Sequence, residues 1–151
     1  MKILFFLYNK TIFFIKIEVN FELNFMAEKV VLIAEDSSVI QNMAKKVLEF
    51  QNFKILVAKN GEKVLETLEE TKVDVILLDL NMPIMNGIDC AKAIRALKDE
   101  QKAKTPIIAI TGNAPNYTLE QFKEMGFDAY IPKPINFDLL IDVVKKMSKS
   151  D

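Results

Sequence analysis

One segment, V-D-V-I-L-L-D-L-N-M-P-I-M-N-G from Val73 to Gly87, constrains the fold more than any other. Val75, Ile76, Leu77 and Leu78 form an unbroken apolar run that stops at a carboxylate, Asp79. Such a run, with no polar alternation, predicts a strand buried on both faces, as in a parallel sheet. Open α/β sheets bind their ligands beyond the carboxyl ends of the strands, where Asp79 is expected to lie. Asn81, Met82-Pro83 and Asn86-Gly87 supply turn chemistry to the loop that follows. Taken alone, the stretch also fits a buried strand followed by a solvated aspartate that opens a turn.

The rest of the chain repeats the strand and adds helices. Val30 to Ala34 is a first apolar run, followed by Glu35-Asp36-Ser37-Ser38, whose Ser and Asp side chains are candidates to cap a helix. Val39, Ile40, Met43, Ala44, Val47 and Leu48 recur at helical spacing, predicting its buried face. Lys54–Ala58 reads as a second strand closed by Asn60-Gly61, and Val64, Leu65 and Leu68 as a second helix. Ile88, Ala91, Ile94 and Leu97 mark a third helix; Lys98–Lys104 reads as a solvated connector. Pro106–Thr111 is a fourth strand, Thr118 and Gln121 form a capping-box pattern, and Gly126 is a plausible helix stop. Ala129-Tyr130-Ile131 is a fifth strand before Pro132-Lys133-Pro134, and Asn136 precedes a last helix with Leu139, Leu140, Val143, Val144 and Met147. Five β-α units predict an α/β fold, a parallel sheet with helices on both faces and right-handed crossovers.

Residues 1–25 differ in character. Their apolar runs break at Asn9-Lys10, which leaves neither the long apolar core nor the small-residue cleavage site of a signal peptide. Lys10, Lys16, Glu18 and Glu22 also interrupt the roughly 20 apolar residues a membrane span needs. Ile17 to Phe25 alternates apolar and polar residues, so an added β-hairpin is one expectation. The other, which we favour, is that Met26 is the true start and the domain occupies residues 26–151.

At 151 residues the chain has room for one ordinary domain plus a short extension. A net charge of −1 with no basic block argues against direct nucleic-acid binding. The single cysteine, Cys90, excludes an internal disulfide framework and fits a reducing compartment such as the cytoplasm. There is no histidine. Ser-His-Asp and Cys-His catalysis and histidine zinc sites are therefore excluded, and any phosphoryl chemistry must use a carboxylate or a hydroxyl.

The predicted strand ends carry a polar pattern. The first ends in Glu35-Asp36, the third in Asp79, the fourth in Thr111 and the fifth in Lys133, all on one edge of a parallel sheet. Three converging carboxylates repel one another unless compensated. Mg²⁺, a hard cation that prefers oxygen ligands, is the expected remedy. With the metal in place, Asp79 stays ionised and can attack phosphorus in line, with Mg²⁺ and Lys133 bearing the phosphoryl charge. Thr111 offers a hydroxyl to one phosphoryl oxygen.

Taken in order, E-D-S-S, L-L-D-L-N-M-P-I-M-N-G, I-T-G-N-A and Y-I-P-K-P-I resemble the response-regulator receiver domains of two-component signalling, over roughly Lys29 to Met147. That resemblance implies a flavodoxin-like (CheY-like), doubly wound sheet of five parallel strands in the order 2-1-3-4-5. It implies that Asp79 is the phosphorylated aspartate. Asp36 would be a direct metal ligand, Glu35 a neighbouring acid acting through water, and Asn81 a ligand through its backbone carbonyl. Thr111 and Tyr130 match the switch pair, Lys133 the phosphate-binding lysine, and Lys133-Pro134 a cis peptide. Glu35 stands where Asp is often found, and Gly112 where Ala is usual. Asn81 and Asn113 occupy positions that tune acyl-phosphate lifetime, which is not legible from them.

Other readings fit less well. A flavin-binding module needs a phosphate-accepting loop after the first strand, where Glu35-Asp36 would repel a phosphate. A phosphatase with an aspartyl nucleophile usually carries an acid at the position of Asn81, and a cap domain. Asp74 precedes its strand and reads as a solvated or capping residue. The expectation is a single-domain response regulator, not an enzyme beyond catalysing its own phosphorylation and dephosphorylation, taking its phosphoryl group from the phosphohistidine of a sensor histidine kinase or histidine phosphotransfer protein. Its output would be a protein-binding surface on the fourth helix, fourth strand and fifth strand, read by an unidentified protein target, with no membrane or nucleic-acid partner. Alternatives are a phosphorelay intermediate that hands the group to a histidine phosphotransfer protein, and a phosphorylation-independent binding module.

Overall fold

The computed structural model describes residues 28–112 and 114–149. The hairpin and start-site expectations for residues 1–25, and Asn113, lie outside the described residues. Five strands, β1 (Val30–Ala34), β2 (Lys54–Ala58), β3 (Val75–Asp79), β4 (Ile107–Thr111) and β5 (Ala129–Pro132), form one sheet in the order β2-β1-β3-β4-β5. Every adjacent pair is parallel. Among the described residues six α-helices connect or follow them: α1 (Ser38–Glu49), α2 (Gly61–Glu70), α3 (Gly87–Arg95), α4 (Glu100–Ala103), α5 (Leu119–Glu124) and α6 (Phe137–Met147), with a short 3-10 turn at Ala114–Asn116. The expected fold and strand order are observed. No helix among the described residues is long and apolar enough to cross a membrane.

The apolar runs work as two-faced strands because successive side chains point to opposite sides. Leu32, Ile76, Leu78, Ile107 and Ala109 pack with Val64, Leu68, Ala91, Ile94 and Phe122 on the face covered by α2, α3 and α5. Val31, Ile33, Val75, Leu77, Ile108 and Ile110 pack with Ala44, Leu48, Leu140 and Val144 under α1 and α6. Every residue of β3 and of β4 is buried. Each fully buried Leu or Ile contributes about 1.5–3 kcal/mol, so these two strands anchor the edge from which the polar residues emerge.

The local signals mostly hold. Thr118 and Gln121 form the full capping box of α5, and Gly126, at φ +100°, follows the C-cap of that helix. Asn60, Asn86 and Asn136 cap α2, α3 and α6 through their side chains. Two expectations on α1 need correction. Ser37 is its N-cap residue but makes no side-chain capping bond; the Glu35 carboxylate accepts the Ser37 N–H instead, at 3.0 Å. Val39 and Met43 are exposed, and the buried face is Gln41, Ala44 and Leu48. Gln41 earns its place by donating to the carbonyls of both Glu35 and Ala58, each at 3.0 Å, which pins α1 to the ends of β1 and β2. The charged connector contains a single helical turn, α4, capped by Asp99.

Candidate functional site

The site forms where the carboxyl ends of β1, β3, β4 and β5 meet. Register sets the spacing: Ala34 pairs with Leu78, Asp79 with Ile110, and Thr111 with Pro132. Glu35 and Asp36 therefore leave β1 beside the strand that ends in Asp79. Carboxylate oxygens of Glu35, Asp36 and Asp79 lie within 4.8 Å of one another, with Glu35 and Asp79 buried and Asp36 exposed. Lys133 follows β5, its backbone N–H donating to the Thr111 carbonyl at 2.8 Å, and a cis Lys133-Pro134 peptide comes next. The Lys133 ammonium lies 2.9 Å from Glu35 Oε2 and 3.0 Å from Asp79 Oδ2.

Burial raises the pKa of the Glu35 carboxyl, opposed by the Lys133 ammonium and the Ser37 N–H. For Lys133 burial pulls the other way, but hydrogen bonds and charge from Glu35 and Asp79 outweigh it and the pKa is raised. Lys133 is thus held as the cation between two buried carboxylates. Three carboxylates and one ammonium leave two negative charges in excess, which a divalent ion would neutralise. All three acids offer oxygen donors, and exposed Asp36 leaves a side open to water, a donor set that suits Mg²⁺.

The loop after β3 is shaped by a contact the sequence did not announce. A Cβ on Gly87 would run into the backbone oxygen of Asp79, so only glycine lets the start of α3 cross the end of β3. The Gly87 N–H donates to the Leu80 carbonyl at 3.0 Å, closing the loop. Asn81 lies against Asp79, with its backbone N–H 3.4 Å from Asp79 Oδ1. Beside it a cleft of about 300 Å³ is lined by Leu80, Asn81, Asn86, Ile88, Asp89 and Tyr117.

Thr111 is fully buried at the end of β4, the strand that pairs with β3. Tyr130 is partly exposed on β5, its ring stacked on that of Phe122 with centroids 4.8 Å apart. Phe122, wholly buried on α5, also meets Tyr117 edge-on at 5.5 Å. Six of the seven candidate site residues thus lie at the carboxyl ends of the strands, whereas Tyr130 sits two residues short of that edge, in register with Ala109. Asp74 does more than cap. Its carboxylate accepts the Val30 N–H at 2.7 Å and pairs with Lys29, holding the start of β1 at the opposite edge.

The family model for the response regulator receiver domain matches residues 31–145. Hybrid signal transduction histidine kinase I of Dictyostelium discoideum is 38% identical over 124 residues, 79% of this chain and 7% of the kinase. The transcriptional regulatory protein CpxR of Escherichia coli K12 is 36% identical over 106 residues, 70% of this chain and 43% of CpxR. The chain therefore spans less than half the length of these curated relatives. Among solved structures, the chemotaxis response regulator CheY4 of Vibrio cholerae superposes with a TM-score of 0.73 at 27% identity, covering 80% of this chain and 99% of that one. The receiver domain of a Pseudomonas aeruginosa sensor histidine kinase, solved with a magnesium ion coordinated in its active site cleft, gives 0.74 at 26% identity, covering 82% and 100%. With this family match over most of its length and the matching fold, the chain belongs to the response-regulator receiver domains of two-component signalling.

Proposed function

We propose that the chain accepts a phosphoryl group from the phosphohistidine of a partner onto Asp79 and changes a protein-binding surface in response. The observation that carries this reading is the buried Asp79 carboxylate, paired with Lys133 at 3.0 Å and flanked by Glu35 and Asp36. An Asp79 oxygen attacks phosphorus, forming the O–P bond as the N–P bond breaks, and the electron pair returns to the donor imidazole. Glu35, Asp36, Asp79 and the Asn81 carbonyl would hold Mg²⁺, which when bound supplies charge neutralisation at the phosphoryl oxygens. The Lys133 ammonium pairs with a phosphoryl oxygen, and the Thr111 hydroxyl donates to another as it swings inward. Tyr130 then leaves Phe122 and turns in, altering the face made by α5, β4 and β5. The single buried cysteine fits a reducing cytoplasm.

The test is transfer from a phosphorylated histidine kinase core in Mg²⁺. Label should appear on this chain as an acyl phosphate and be absent from Asp79→Asn. A second reading, a relay intermediate, is favoured by the similarity to the Dictyostelium hybrid kinase. It predicts onward transfer from the phosphorylated chain to a histidine phosphotransfer domain, whereas a terminal acceptor would lose its label only to water.

A further inference from the structure

We propose that Phe122 is a positioning residue for the switch: its ring holds Tyr130 outward and so sets how readily the unphosphorylated chain adopts the switched form. This inference rests on the phosphoacceptor reading above and adds to it a residue that the reading leaves without a task.

The Tyr130 ring lies nearly flat on that of Phe122, with centroids 4.8 Å apart and planes 17° from parallel. Its register partner on β4 is Ala109, whose methyl covers little of a ring, so α5 supplies the face against which Tyr130 rests. The two rings are held unequally. Tyr130 is 38% exposed, whereas Phe122 is wholly buried. Phe122 is also met edge-on from two further rings, Tyr117 at 5.5 Å and Phe127 at 6.2 Å. Between Tyr117 and Phe122 the complete capping box of Thr118 and Gln121 fixes the start of α5. When Tyr130 turns, the Phe122 ring therefore stays in place, and the stack breaks instead of moving with it.

A stacked aromatic pair is stabilising beyond the area it buries, which weights the resting equilibrium towards the outward ring by about two- to tenfold. A phosphoryl group on Asp79 has to overcome that weight before the surface changes. The same stack joins α5 to β5, two of the three elements of the proposed output face. Restraint of Tyr130 and restraint of that face are thus one contact.

Beryllofluoride with Mg²⁺ is the probe, and fluorine NMR of the full chain carrying 3-fluorotyrosine is the readout, the Tyr130 signal being identified by its loss in Tyr130→Phe. Beryllofluoride should move that signal in the unsubstituted chain. In Phe122→Leu the signal should lie part of the way there before any addition, and the beryllofluoride midpoint should fall about two- to tenfold. Phe127→Leu removes a ring from the same core but leaves the stack intact, so both readings should match the unsubstituted chain. With Tyr130→Leu already in place, Phe122→Leu should no longer shift the midpoint. Phe122→Met, whose flexible chain fills the gap without a ring, takes the place of the leucine variant if that one does not fold. A signal and midpoint indifferent to loss of the Phe122 ring would overturn the proposal, as would equal shifts in Phe127→Leu. Beryllofluoride that binds the unsubstituted chain without moving Tyr130 would overturn it too. Absence of any beryllofluoride binding would overturn the phosphoacceptor reading itself, and this inference with it.

Discussion

Lys133 and Glu35, 98 positions apart in sequence, meet in a charged hydrogen bond of 2.9 Å beneath the edge of the sheet. Glu35 is 1% exposed, so Lys133 is its compensating cation as well as the partner of Asp79. Lys133→Ala should therefore cost about 2 kcal/mol of stability, since it leaves buried carboxylates without their cation. Urea unfolding without metal checks this, and Mg²⁺ should restore part of the loss by binding the folded form. The variant should still take phosphate from acetyl phosphate but bind a phosphorylation-dependent partner poorly.

Asp36 is the exposed member of the acidic cluster. Asp36→Ala should change stability by no more than about 0.5 kcal/mol, as exposed positions do, while weakening Mg²⁺ binding markedly. Metal titration monitored by backbone amide shifts separates the two effects. Unchanged affinity would remove Asp36 from the ligand set.

Two glycines near the site should respond oppositely to alanine. Gly87→Ala drives a methyl into the Asp79 backbone oxygen and should cost more than about 2 kcal/mol and impair acetyl phosphate labelling. At Gly112 an added Cβ meets nothing within 4 Å. Gly112→Ala should be tolerated and stabilise by about 0.4–1 kcal/mol through the unfolded chain. Denaturant midpoints of the two variants test the contrast.

Cys90 is fully buried, and burial pushes its thiol up from the ordinary 9.0 to about 12. The native protein should react with a thiol reagent only through unfolding, and near pH 8 the rate should track urea concentration. Because the folded thiol holds its proton more tightly, its contribution to stability is complete below pH 9.0 and is lost as pH rises towards about 12. Cys90→Ala should lack that part of the alkaline loss, measured as the difference in unfolding free energy between neutral and alkaline buffer.

Much of this was legible because apolar runs without alternation permit little besides central parallel strands. β3 and β4 are buried along their whole length, so their ends had to carry Asp79 and Thr111 to one edge. What escaped was side-chain pairing across long sequence separations. Arg95 is the clearest case: it donates to the carbonyls of Gly126, Ala103 and Thr105 and pairs with Asp128 at 2.7 Å, tying α3 and α4 to the loops before β4 and β5. A lone arginine in an amphipathic helix gives no sign of that. Apolar spacing on α1 over-assigned the core for a related reason, since periodicity cannot separate a buried stripe from an apolar one left in solvent. Val39 and Met43 fell on the exposed side while Gln41 was buried.

The most direct measurement is the site of modification after incubation with acetyl phosphate and Mg²⁺, read by intact mass and peptide mapping. One phosphoryl group per chain, carried on the peptide containing Asp79, labile to hydroxylamine and absent from Asp79→Asn, is the expected result. Labelling that survives Asp79→Asn, or that maps to another residue of the unsubstituted chain, would contradict the assignment of Asp79 as the acceptor.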